Sequence, residues 1–437
     1  MITKGLFKTT DGFLGRQKLE LESLVEIHRV VYDFLSEPSV SGCVGDDGFT
    51  ITRDFGTVIV TSDIHADLLK LIQMLLSAGL VRCDGYEIRT LDDVYRRIWS
   101  IDWVADETLL VITGDLVDGR RSEDRQVTDK RGAYEMLLHI LLFNLRIGAR
   151  TKGSDLLFTI GNHDLRSILL PDQREVWRKY TAPEHIEFAP TDVADTPWEC
   201  RAYMLAPFYL CSPYLMLRLG SALFMHGGLL HDLGKGDCVY RLALHAQANI
   251  NAAMPNLPEV RAALVKYKEA SKAQGCMYIT DARGYVENDR ERVCKDEATT
   301  GLAALGVSLV VVGHCVTHQY EHLMIDPECK ARDIDGVKDS DVGCIAQYEC
   351  EGGPMIVLVD IGLSECFRGP EHKQGSNANR QTDILHMKLS DKREDKSAVR
   401  AHGKGWYVLS AYRTTHASGA FSGFGAFGGF GAFGLHV

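Results

Sequence analysis

Five short polar blocks recur along this chain, each just after a hydrophobic run. They are Ser62-Asp63-Ile64-His65, Gly114-Asp115-Leu116-Val117-Asp118, Gly161-Asn162-His163-Asp164, His226-Gly227-Gly228 and Gly313-His314. The runs before them are Thr57 to Thr61, Leu109 to Thr113, Leu156 to Ile160, Ala222 to Met225 and Leu309 to Val312. Each is short and apolar, the composition of a buried strand. Met355 to Val359 is a sixth such run, followed by Asp360-Ile361-Gly362. Apolar residues fall at helical spacing in Leu19 to Leu35, Leu68 to Ala78, Ala133 to Leu145 and Val260 to Ala273. Strands alternating with helices predict an α/β layered fold. In open α/β sheets, ligands bind beyond the carboxyl ends of the strands, where loops from several strands converge. Blocks far apart in the chain are therefore expected to meet in one pocket.

The chemistry of the blocks is that of a two-metal phosphate-cleaving centre. A phosphate ester is anionic and repels hydroxide, and neutral water is a weak nucleophile. Two divalent cations about 3.5–4 Å apart lower the pKa of a bridging water and neutralise charge in the transition state. Asp115 is the candidate bridging carboxylate. Asp63 and His65 stand at i and i+2, so in an extended chain both leave the same face and join Asp115 at a first site. Asn162, His226 and His314 would complete a second site. Mixed nitrogen and oxygen ligation suits Mn, Fe or Zn better than Ca or Mg. His163 is the candidate general acid for the leaving alkoxide, with Asp118 orienting it and raising its pKa. Gly227 and Gly228 are expected to let backbone approach the metals. Arg120, Arg121 and Arg166 flank the blocks, and a guanidinium grips phosphate oxygens bidentately. His318 and His322 follow the last block and read as structural histidines.

Taken in order, the blocks resemble the phosphoprotein phosphatase branch of the calcineurin-like metallophosphoesterase superfamily. That branch carries Gly-Asp-x-His-Gly, Gly-Asp-x-Val-Asp-Arg-Gly, Gly-Asn-His-Glu and His-Gly-Gly, then a last histidine. The run Val359-Asp360-Ile361-Gly362-Leu363-Ser364, after Gly313-His314-Cys315, is most similar to the bacterial-type, Shewanella-like members. The resemblance implies a four-layer β-sandwich flanked by helices, with the metal site at the C-terminal ends of the strands. It implies the ligands Asp63, His65, Asp115, Asn162, His226 and His314 and an Asp118–His163 pair. It implies a serine/threonine or tyrosine protein phosphatase working by attack of a metal-bridging hydroxide. The sequence departs from the pattern at four places. Ser62 and Ala66 replace glycines, Gly119-Arg120 inverts the expected Arg-Gly, and Asp164 replaces Glu. Gly161 to Leu165 also resembles dinucleoside tetraphosphate hydrolases, so a dinucleoside polyphosphate or other small phosphorylated molecule is the competing substrate.

Three segments are expected: a helical extension over 1–50, a catalytic domain over 51–412, and a low-complexity tail over 413–437. Inserted loops are expected at about 83–106, 179–207 and 368–396, the second lying over the site and the third mobile. The tail sets Phe421, Phe424, Phe427, Phe430 and Phe433 in Gly, Ala and Ser. It is suited to self-association or to docking on a protein partner, which leaves a non-enzymatic assembly role as a third reading. The net charge of -11 and the absence of a basic stripe weigh against nucleic acid as a partner. No run reaches the roughly 18 apolar residues of a membrane helix. The twelve cysteines are scattered singly, with no Cys-x-x-Cys pair, and read as thiols in a reducing, cytoplasmic compartment.

Overall fold

The computed structural model describes residues 1–3, 9–10, 18–19, 21–37, 43–45, 47–84, 88, 91–119, 134–170, 197–230, 236–288, 290–315, 346–351, 353–360, 384–390, 399–401 and 406–412. Two six-stranded sheets hold the core. One has the order Val399–Ala401, Trp406–Tyr412, Ile384–Ser390, Thr57–Thr61, Thr108–Ile112, Asp155–Phe158. Its last three strands are parallel, with Thr57 opposite Thr108 and Leu109 opposite Asp155. The other has the order Ala346–Glu349, Met355–Leu358, Leu309–Val312, Ala222–Met225, Met216–Leu219, Thr50–Ile51. Its strands Ala222–Met225, Leu309–Val312 and Met355–Leu358 are parallel. Every residue of Thr108–Ile112, Ala222–Met225 and Leu309–Val312 is buried, as expected of parallel strands covered on both faces.

Each sheet thus sends its parallel strands toward the same kind of exit, a loop carrying polar residues. The first exit runs straight into a helix. Asp67 caps Leu68–Ser77 by accepting the Lys70 N–H at 3.0 Å. Helix Glu135–Thr151 lies beside Asp155–Phe158 and buries most of its length. Mixed sheets flanked by helices are the layered α/β arrangement predicted above.

The inserted stretches carry more structure than expected. Residues 197–207 fall in the helix Pro197–Tyr209, not in a loop. Residues 384–390 form a strand paired antiparallel to the central strand, with Leu385 opposite Val60. Within 83–106, the hairpin Val81–Cys83 with Ile101–Trp103 brackets the helix Leu91–Arg97. Polar or mixed composition hid these elements, because their regularity comes from neighbours and not from their own periodicity. The Phe-rich tail lies outside the described residues, as do Arg120, Arg121, His318 and His322.

The cysteine expectation is corrected for four positions. Cys238 pairs with Cys276 and Cys294 with Cys350, while Cys43, Cys83, Cys200, Cys211 and Cys315 are buried thiols. The partners lie 38 and 56 positions apart, so local spacing carries no sign of them. Disulfides are rare in reducing compartments, so these four cysteines do not argue for one. Among the described residues, no helix is long and apolar enough to cross a membrane.

Candidate metal centre

Three of the five blocks leave their strands in unusual backbone conformations. Asp63, His65, Ala66, Asp115, Asp118 and His314 all have left-handed φ, between 46° and 70°. Only Glu107 shares that region among the other described non-glycine residues. Each such residue costs roughly 1–2 kcal/mol, which the surroundings must offset. Cross-links between the loops do so. The Asp63, His65 and Ala66 N–H groups donate to the carbonyls of Gly114, Asp115 and Leu116 at 3.1, 2.9 and 2.8 Å. The His314 N–H donates to Asp63 Oδ2 at 3.0 Å, and the His163 N–H to Asp115 Oδ1 at 2.9 Å. Close approach also requires glycine at two points. A Cβ at Gly161 would strike Asp115, and one at Gly313 would strike the Ser62 hydroxyl. Ser62 itself donates to Asp63 Oδ2.

Asp115 Oδ2 is the centre of convergence. It lies 3.4 Å from His226 Nε2, 3.6 Å from His65 Nε2 and 4.0 Å from His163 Nε2. Asp63 Oδ1 is 3.6 Å from His65 Nε2, and Asn162 Oδ1 is 3.1 Å from His226 Nε2. Separations of 3.4–3.6 Å are long for hydrogen bonds. They match two donor atoms that each sit about 2.1 Å from one shared cation. Ligand atoms of Asp63, His65 and Asp115 lie within 4.8 Å of one another, and so do those of Asp115, His226 and His314.

The histidines are pre-set to offer lone pairs. His65 Nδ1 is 2.9 Å from the Val117 carbonyl and His226 Nδ1 is 2.7 Å from the Thr113 carbonyl. A carbonyl only accepts, so Nδ1 carries the hydrogen in both rings and Nε2 faces the cluster. Two observations show that the residues fit cations. Asp63 Oδ1 is fully buried and makes no hydrogen bond among the described residues, which is costly for a carboxylate without a positive partner. Burial lowers the His226 pKa, yet the carboxylates of Asp115 and Asp63 overcome that and raise it to about 10. The pocket therefore calls for positive charge.

Beside this cluster, His163 Nδ1 is 2.8 Å from Asp118 Oδ2. Burial pushes the Asp118 carboxyl pKa up, but Arg201 and the bonds from His163 and Ser167 outweigh it and hold the group ionised. Sequence reasoning did not single out Arg201 or Glu135, which touch Asp118 from two other helices. Nor did it foresee what Asp164 does. Its buried carboxylate accepts the N–H groups of Asp115, Leu116 and Gly161, each at 2.9 Å, and the Tyr209 hydroxyl at 2.7 Å. It fastens the turn that carries Asp115. Asp164→Ala should cost roughly 3–5 kcal/mol, because buried donors lose their acceptor. Denaturant unfolding measures this, and a loss below 1 kcal/mol (about the net worth of one ordinary hydrogen bond) would refute the fastening role.

Arg166 lies on Leu165–Leu169, ion-paired with Asp281 and facing the Tyr278 ring at 6.0 Å. Gly227 and Gly228 give close packing against the 279–285 segment, where a Cβ would meet Ile279, Ala282 or Tyr285.

The family model described as calcineurin-like phosphoesterase matches residues 56–318, more than half of the chain. Among solved structures, the chain is similar to the cold-active protein-tyrosine phosphatase of a psychrophilic Shewanella species. Identity is 16%, coverage is 80% of each chain and the TM-score is 0.46. It is also similar to a Saccharomyces cerevisiae protein serine/threonine phosphatase with similarity to human phosphatase PP5, at 13% identity, 76% coverage of each chain and a TM-score of 0.35. The phosphatase domain of the Legionella effector WipB matches at 14% identity, covering 51% of this chain and 82% of that one, with a TM-score of 0.25. No curated protein matches the chain. With the family model spanning all five blocks and their donors gathered in one buried cluster, the chain belongs to the calcineurin-like phosphoesterases, metal-dependent hydrolases of phosphoesters.

Proposed function

We propose that this chain is a protein phosphatase that removes phosphate from serine, threonine or tyrosine side chains. The order of its blocks and its His226-Gly227-Gly228 sequence support that substrate class. We assign Asp63, His65 and Asp115 to one cation, and Asp115, Asn162, His226 and His314 to a second. Two bound cations of the Mn, Fe or Zn type would supply an activated nucleophile and neutralise charge on the phosphoryl group.

The observation that carries the reading is the His163–Asp118 pair. Asp118 holds Nδ1, so Nε2 is turned toward Asp115 Oδ2, 4.0 Å away. As the oxygen of water bonds to phosphorus and the ester P–O bond breaks, the leaving oxygen takes the Nε2 proton. Arg166, ion-paired with Asp281, is assigned the grip on a phosphate oxygen, and Arg120 and Arg121 are assigned the same task from their positions in sequence.

A metal-reconstituted activity panel tests the substrate class. Phosphoserine, phosphothreonine or phosphotyrosine peptides should turn over faster than a dinucleoside tetraphosphate. The reverse preference would install the nucleotide reading that Gly161 to Leu165 suggests. Deleting residues 417–437 should leave turnover of a small aryl phosphate intact. Loss of self-association or of a protein partner, without any hydrolysis by the parent, would instead favour the assembly reading.

A further inference from the structure

Among the described residues, His163, Ser167, Arg201 and Glu135 all hold Asp118. Its Oδ2 takes His163 Nδ1 at 2.8 Å and the Ser167 hydroxyl at 2.6 Å. Its Oδ1 takes Arg201 Nη2 at 2.7 Å. Its backbone N–H donates to Glu135 Oε1 at 2.9 Å. Arg201 and Glu135 are themselves joined by two bonds, Nε to Oε2 at 2.6 Å and Nη2 to Oε1 at 2.7 Å. All three side chains are buried. Asp118 also has a φ of 65°, a strained value for a residue with a side chain.

We infer that Arg201 and Glu135 are positioning residues for proton transfer, acting as one clamp that fixes both the backbone and the carboxylate of Asp118 and thereby aims His163. The inference rests on the reading of His163 as the proton donor.

The geometry distinguishes a clamp from an ordinary buried ion pair. A guanidinium is planar, and its fork sets the plane of the groups it grips. Here Nε and Nη2 grip Glu135 and Nη2 also reaches Asp118 Oδ1; with His163 and Ser167 on Oδ2, both oxygens are tied and the plane of Asp118 is fixed. The Asp118 plane in turn fixes the direction in which Nδ1 is held and hence where Nε2 points. Glu135 adds the second constraint by anchoring the strained N–H. Without Arg201, two buried carboxylates would lie near each other without the guanidinium between them, and the Asp118 carboxylate could rotate away from the ring. The clamp also joins three chain regions. Glu135 opens the helix Glu135–Thr151 and Arg201 sits in the first turns of Pro197–Tyr209, so neither belongs to the metal-ligand loops.

The test compares two substrates that differ only in their need for a proton. Phenyl phosphate has a poor leaving group that requires a general acid, whereas 2,4-dinitrophenyl phosphate has a good one that needs little help. In Arg201→Lys, which keeps the charge but loses the fork, and in Glu135→Gln, kcat on phenyl phosphate should fall about 10-fold or more. The fall on dinitrophenyl phosphate should be under about 3-fold, with KM and metal content near the parent values. Equal losses on both substrates, no loss on either, or unfolding of both variants would overturn the clamp and leave the pair a structural one. His163→Asn serves as the control. If it shows no dependence on the leaving group, the general-acid reading itself fails. If it shows the dependence and the two clamp variants do not, only the clamp fails.

Discussion

Asp115→Asn is expected to empty the centre of metal and abolish turnover without unfolding the protein. The two oxygens of Asp115 have separate tasks. Oδ1 accepts the His163 N–H at 2.9 Å, and Oδ2 faces His226 Nε2 at 3.4 Å and His65 Nε2 at 3.6 Å. A carboxamide can keep the first contact with its oxygen, which puts its NH2 at the second position. That nitrogen has no lone pair to give a cation, and its two hydrogens would point at the histidine Nε2 atoms. The variant therefore blocks both donor triads, since Asp115 belongs to each. Metal affinity should fall by more than the roughly 10–100-fold that losing a hydrogen-bond partner behind a ligand costs. Metal-free variant should stay folded at the assay temperature but melt below metal-free parent, because the substitution removes the buried carboxylate that pairs with His226. Elemental analysis beside a thermal melt separates these effects. Full occupancy in the variant would refute the bridging role.

The same residues show what a single sequence reveals of such a site. The parallel strands were legible because each is a short apolar run closed by a polar block, and burial on both faces produces that signal directly. The strand candidates Thr57 to Thr61, Ala222 to Met225 and Leu309 to Val312 coincide with the strands of the structure. The donors were legible because their roles demand particular side chains at strand ends. Arg201 was not. It is one arginine in a stretch read as a loop, and its meaning depends on Asp118 and Glu135, 83 and 66 positions away. Asp164 stood inside a recognised block, yet nothing local says that its carboxylate collects three backbone N–H groups and a tyrosine. Disulfide partners and strand pairings such as Ile384–Ser390 with Thr57–Thr61 are properties of the assembled fold. What escapes the sequence here is the layer behind the donors, whose members are chosen by who their neighbours are.

Removing the proton donor should give a different signature from removing the metals. His163→Asn keeps the backbone N–H that bonds Asp115 Oδ1, so the ligand cluster stays assembled. It loses the Nε2 proton, and turnover on phosphoserine should fall about 10²–10⁴-fold, the range for a lost general acid. Asp118→Asn should fall within the same range by another route. Arg201 Nη2 always donates, so the amide oxygen must face it, and the amide NH2 then faces His163 Nδ1. That nitrogen is forced to accept, and the ring is left neutral and a poorer acid. Both variants should retain about two metals per chain, the complement a paired-cation centre requires. Because the two residues act as one unit, the double variant should lose no more than His163→Asn alone. A double loss equal to the product of the single losses would show that Asp118 serves the centre independently of the imidazole.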